Sequence, residues 1–288
     1  MSSCSSGPAS VVRKTELLDA ALLERIERRR APAGSSPHDG RVLRRRCRRI
    51  RNTPARRKTR MKTTIGPARS SIAPLEERID RAIHGVLAAF PDAQRLSPDE
   101  RRGILARYTA VLEGNFIYWM TAAYLAVTTD QAHAIIRANL LEEVRDNHPG
   151  MLRRFAIAAQ AVPTDSDALA VHRNLQNVRL FVARLSAVKL LLMMAFFEGW
   201  ITRFMPYLAE LARYQGSAER EYTDVHGVCD VVHTQELFRA LEGEMTQAPE
   251  PLPPATELLE GVDLLQALIH SIAQPPRGVI PEGVGGSR

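Results

Sequence analysis

Cysteine is scarce in this 288-residue chain, with three in all. Cys4 and Cys47 lie near the N-terminus and Cys229 stands alone in the body, so no disulfide framework can be drawn and a reducing, cytoplasmic setting is expected. Long apolar runs are missing. The most apolar stretch, Leu190 to Phe197, is bounded by Lys189 and Glu198, far short of the roughly 20 residues a membrane span needs. A signal-peptide-like apolar core is also missing, and a soluble protein is expected. There is no Gly-rich phosphate loop, Gly-x-Ser-x-Gly, Cys-x-x-Cys or Glu-x-x-His. That removes the sequence signatures of P-loop enzymes, α/β-hydrolases, dithiol redox proteins and ferritin-type centres. Alternating strand patterns are absent as well.

Charge is uneven. The chain has a formal net charge of +7, yet residues 1–60 hold 17 Lys/Arg against 5 Asp/Glu, and Arg41 to Arg60 contains no acidic residue. Residues 61–288 carry the reverse balance, 22 Lys/Arg against 27 Asp/Glu. The basic character belongs to a tail. Such a segment buries too little apolar surface to offset its ordering entropy, so residues 1–70 are expected to be disordered. Two readings compete: an arm that neutralises nucleic-acid phosphates, or translated upstream sequence with Met61 as the true initiator. The second is favoured, because GC-rich non-coding DNA yields Arg-dense, Ser/Pro/Gly-rich sequence. Neither nucleic acid nor a membrane is then an expected partner.

From Pro74 the helical period takes over. Leu75, Ile79, Ile83 and Val86–Leu87 recur every three to four residues, the mark of an amphipathic helix. Ser97-Pro98-Asp99-Glu100 combines an N-cap, a first-turn proline and a capping-box glutamate; the helix it opens is expected to reach about Val127. Further helices are expected over Asp130–Asn147, Asp165–Tyr214 with a kink before Pro206, Glu219–Met245 and Glu257–Ala273. With connections this short, the fold class is an all-α bundle.

The sharpest chemical pattern is Tyr222-Thr-Asp-Val-His226-Gly-Val-Cys-Asp230-Val-Val-His233. At about 100° per residue, His226, Asp230 and His233 fall within about 60° of one helix face. Two imidazoles and a carboxylate suit non-haem iron with open positions. The same spacing would serve a solvated polar face, with Val225, Val228, Val231 and Val232 burying the rest of the helix. Glu198 follows the apolar run and precedes Gly199-Trp200-Ile201. A carboxylate there is unfavourable to bury unless paired or bound to a cation; the alternatives are an exposed edge or pairing with Arg203. In Asn139-Leu-Leu-Glu142-Glu143-Val-Arg-Asp146-Asn-His148-Pro149, Glu143 and His148 stand about 140° apart on a regular helix. They meet only if the helix ends between them, which Pro149 favours. Asp146 is the alternative partner, and an ordinary charged helix end is the plainer reading. Glu113, between Leu112 and Phe116, is either a ligand or an exposed helix residue.

Taken in order, Glu113, Asn-Leu-Leu-Glu-Glu143 with His148, Glu198 and His226-x3-Asp230-x2-His233 resemble the haem-oxygenase-like di-iron oxidases over roughly Leu75 to Glu244. The resemblance implies a seven-helix haem-oxygenase-like bundle without haem over residues 71–247. A Pro-rich linker and packing helix (248–274) and a disordered tail (275–288) would follow. It also implies two Fe(II) ions with dioxygen as co-substrate. Glu143, His148, Glu198 and His226 would surround one ion; Asp230, His233 and Glu113 would complete the other. Leu191, Met194, Phe197, Trp119 and Phe116 would form an apolar wall against water. The implied activity is oxidation of a small organic substrate (N-oxygenation, desaturation or carbon–carbon cleavage) in a biosynthetic pathway, with an electron donor and a homodimer left open. Phe197 precedes Glu198 where a chlamydial member of the resembled family has a redox-active tyrosine, so self-sacrificing tyrosine chemistry is not expected. The competing reading is a metal-free helical protein that binds a small molecule or a partner helix.

Overall fold

Residues 72–248 and 251–274 are described in the computed structural model, and their regular structure is entirely helical. The expectations for residues 1–70, for Met61 and for the 275–288 tail lie outside the described residues. Helix α1 (Ala73–Ala88) buries Leu75, Ile79, Ile83 and Val86, the stripe its spacing required. Helix α2 (Pro98–Leu112) opens on the expected capping box: Ser97 Oγ accepts from Glu100 N, and Ser97 N donates to Glu100 Oε2 at 2.8 Å. It does not run on to Val127. Gly114, at φ +75°, turns the chain in the left-handed region that glycine tolerates, and α3 (Asn115–Ala126) starts afresh. Asn115 fastens the break, donating to Val111 O and accepting from Arg179.

Helix α4 (Asp130–Arg145) ends just before Asn147, which sits at φ +56°, and α5 (His148–Ala158) follows at once. The stop near Pro149 was legible; α5 was not expected. The pattern from Asp165 to Tyr214 divides into α6 (Asp165–Val182) and α7 (Ala187–Tyr214), with Leu185 at φ +51° between them. No glycine or proline marks this break, so the period runs across it unbroken. Pro206, expected to kink the chain, lies inside continuous α7. Then come α8 (Glu221–Gln247), the single turn α9 (Ala255–Leu258) and α10 (Glu260–Ala273). These breaks raise the helical segments among the described residues to ten, against the seven the resemblance implied.

The centre of the bundle is α7. Leu190 to Ile201 are buried without interruption, and a helix apolar all round belongs inside. Helices α1, α2, α3, α8 and α10 pack on it, α8 most extensively, and α4 packs on α8. Helix α10 also covers α6, so closely that a Cβ on Gly261 would come within 2.5 Å of the Phe181 ring. No described helix is long and apolar enough to cross a membrane. A carboxylate ties α4 to α8. Glu244, on α8, accepts from the backbone N–H groups of Thr128 and Thr129 at 2.9 and 2.7 Å and from the Thr128 hydroxyl. It thereby pins the start of α4. Glu244→Ala leaves two N–H groups without an acceptor and should lower stability by about 1–3 kcal/mol. Glu244→Gln, which keeps one acceptor oxygen, should lose less. Urea unfolding midpoints of the two variants check this.

Candidate metal centre

Helix α8 is inverted. Three of the four valines expected to be buried face solvent, Val228 at 62%, Val231 at 44% and Val232 at 38% exposure, and only Val225 packs partly against the core, while His226, Asp230 and His233 lie at 4%, 1% and 4%. A buried polar face beside an exposed apolar one is the informative pattern, since desolvating charge is unfavourable unless something compensates. The solvated-face alternative is thereby excluded. Three further polar side chains meet this face from other helices: Glu143 of α4, His148 of α5 and Glu198 of α7, the last at 1% exposure.

They fall into two groups. Glu143, His148 and His226 offer ligand atoms within 4.8 Å of one another, and so do Glu198, Asp230 and His233. His226 and Asp230 are one turn apart on α8, so the groups are neighbours. In the first, His148 Nδ1 meets Glu143 Oε1 at 2.7 Å, and the His148 ring packs edge-on against His226 at 4.6 Å. With its proton on Nδ1, His226 donates to Tyr222 O at 2.8 Å and keeps Nε2 free as a lone-pair donor. In the second, His233 Nδ1 lies 3.6 Å from Asp230 Oδ1 and 3.9 Å from Glu198 Oε2. Both are too long for hydrogen bonds. They match the roughly 3–4 Å between two donors that each sit about 2.1 Å from one ion.

The unpartnered atoms point the same way. His148 Nε2, His233 Nδ1, Glu198 Oε1 and both Asp230 oxygens are buried with no hydrogen-bond partner. Buried polar atoms are normally satisfied; of the ten buried side-chain atoms without a partner among the described residues, five fall in these two groups, and they include every unpartnered carboxylate oxygen. Electrostatics agrees. Burial pushes His226 down to about 4, keeping the ring neutral. Burial, then the neighbouring Glu198 charge, pushes Asp230 well above the usual carboxylate range. His233 is raised: burial opposes its charge, but Asp230, Glu142 and Glu198 outweigh that. A divalent cation relieves the repulsion between Glu198 and Asp230 and satisfies the orphan atoms together. The residues fit iron.

Glu113 stays apart. Because α2 stops at Leu112, Glu113 caps it, and its exposed carboxylate pairs with Arg153. Its expected place with Asp230 and His233 is taken by Glu198, which the resemblance had put on the other ion. Asp146, the alternative partner, belongs to neither group; the turn at Asn147 brings His148 to Glu143 instead. Glu113 does line the mouth of a cleft that reaches Glu143, His148 and His226 between Phe116, Ile117 and Leu152. Of the expected apolar wall only Phe116 faces this cleft; Phe197 stacks behind it at 5.6 Å and meets Trp119 at 5.2 Å.

Spacing alone missed two neighbours. Tyr222 lies against the His226 ring at 4.3 Å and shares a 2.7 Å hydroxyl contact with buried Tyr108. Its position four residues before His226 was the available signal. Glu142 reaches the far side of His233, 3.5 Å from Nε2; it stood beside Glu143 in the same motif, and spacing gave it no role. The surroundings of Asp230 set a pH dependence. A carboxyl whose folded pKa is raised destabilises the native state above that pKa and not below its unfolded value near 3.9. In metal-free protein, Asp230→Asn should therefore raise stability by about 1–2 kcal/mol near pH 8, with no gain near pH 4. It should also reduce any thermal stabilisation that added Fe(II) gives the parent. Thermal melts with and without metal at both pH values check this.

A family model described as iron-containing redox enzyme matches residues 83–262, a span that contains both groups. No curated protein and no solved structure matches the chain. The orphaned donors, the helical architecture and a match over more than half the length agree: the chain belongs to the haem-oxygenase-like family of iron-containing redox enzymes.

Proposed function

We propose that the chain is a non-haem di-iron oxidoreductase that uses dioxygen to oxidise a small organic substrate. The observation that carries this reading is the pair of neighbouring buried carboxylate–imidazole groups, in which His148 Nε2, Glu198 Oε1, His233 Nδ1 and both Asp230 oxygens have no hydrogen-bond partner. Glu143, His148 and His226 would hold one ion, and Glu198, Asp230 and His233 the other. Mixed carboxylate and imidazole donors with open positions suit iron in redox work. Bound iron supplies the one-electron chemistry and the affinity for dioxygen.

The chain's own residues do the rest. Neutral His226 presents Nε2 without first having to lose a proton, its Nδ1–H being held by the Tyr222 carbonyl. Phe116, Ile117 and Leu152 narrow the approach to the first group, which favours a small substrate and excludes water from the reacting atoms. The cleft walls are apolar apart from the proposed ligands, Glu113 and Tyr222, so the substrate contacts there are mainly apolar. N-oxygenation, desaturation and carbon–carbon cleavage all remain within reach of this donor set.

The competing reading, a metal-free helical binder, has to leave five buried polar atoms of these groups unsatisfied in its resting state. Anaerobic Fe(II) loading separates the two. The parent should retain two irons per chain after desalting and consume dioxygen on exposure to air. Asp230→Ala and His233→Ala should each lose one iron and nearly all oxygen uptake. Unchanged iron content in both variants, by inductively coupled plasma analysis, would overturn the proposal.

A further inference from the structure

Glu142 has no part in the ligand sets above, yet it is the acid nearest the outer edge of His233. The two ring nitrogens of His233 face different surroundings. Nδ1 looks toward Asp230 and Glu198, whose oxygens are unpartnered. Nε2 looks toward Glu142 Oε2 at 3.5 Å. A metal-binding imidazole needs a bare lone pair on one nitrogen and an acceptor for the N–H on the other. Only one assignment satisfies both edges: Nδ1 toward the acids of the second group, and Nε2–H toward Glu142.

Resting on the di-iron reading, we propose that Glu142 is the positioning residue of the second ion: it accepts the Nε2–H of His233 and so fixes Nδ1 as the metal donor. The placement on α4 supports this. Glu142 and Glu143 are consecutive, about 100° apart around the helix. One turn thereby delivers Glu143 to the first group as a ligand and Glu142 to the second as a support. Glu142 keeps 30% of its side chain exposed, so it stays hydrated on one side while Glu198 and Asp230 are sealed in. That division suits an outer acceptor and does not suit a third carboxylate on the ion. The 3.5 Å separation has only a few tenths of an ångström to close to become a hydrogen bond.

The test is metal affinity resolved by site, with a spectroscopic readout that a purely structural residue would not move. Anaerobic Co(II) titration of the full chain, followed through its visible bands, should give two binding steps. Glu142→Ala should weaken the step that Asp230→Asn also abolishes by about 10–100-fold, leave the other step in place and leave the metal-free melting temperature close to the parent. Glu142→Gln, whose amide oxygen still accepts, should recover most of that affinity. In 113Cd-loaded protein with 15N-labelled histidine, cadmium coupling should appear on Nδ1 of His233 together with a slowly exchanging Nε2–H, and Glu142→Ala should speed that exchange. Equal affinities for parent and Glu142→Ala, or cadmium coupling on Nε2, would overturn the proposal while leaving the di-iron reading standing. A parent that binds no Co(II) would overturn both.

Discussion

Two buried carboxylates that share a single nearby imidazole, His233, as their counter-charge set the terms for the rest of the molecule. Glu198 sits in the middle of the most buried stretch of α7, and Asp230 faces it from α8, each at 1% exposure. Three of their four oxygens have no hydrogen-bond partner. Like charges brought close in a medium of low polarity repel strongly, and burial alone already disfavours each. A single divalent cation removes both penalties. The inverted burial of α8, with Val228, Val231 and Val232 outward and the histidines inward, fits the same proposal, since a bound ion would hold the donors inward whatever the apolar residues would prefer.

The surrounding fold holds those donors in place. The proposed ligands come from four helices, α4, α5, α7 and α8, so their convergence depends on how those helices meet. Glu244 ties the start of α4 to α8, and the left-handed turn at Asn147 lets α4 and α5 deliver Glu143 and His148 to one point. A group assembled across so many elements keeps its repulsion in the metal-free state, and this is where stability and function pull against each other.

Much of this arrangement could be read from residue spacing, and the failures have physical causes. The spacing of His226, Asp230 and His233 indicated one helix face, and Pro149 indicated the stop that joins His148 to Glu143. Which side of α8 is buried could not be read, because valine density argues for the wrong one when a buried polar cluster overrides hydrophobic patterning. Glu113 was misplaced because a continuous period hid the turn at Gly114, and the α6–α7 break was hidden because no glycine or proline announces Leu185. Glu142 was passed over since helical spacing treats adjacent residues as belonging to different faces. Here those two faces meet two different groups.

The most direct test of the paired metal centre is anomalous diffraction from crystals of the full chain soaked anaerobically in Fe(II). Two iron peaks per chain are predicted, one flanked by Glu143, His148 and His226 and the other by Glu198, Asp230 and His233. Well-ordered crystals with no iron density between these side chains, or with the α8 imidazoles turned to solvent, would contradict it.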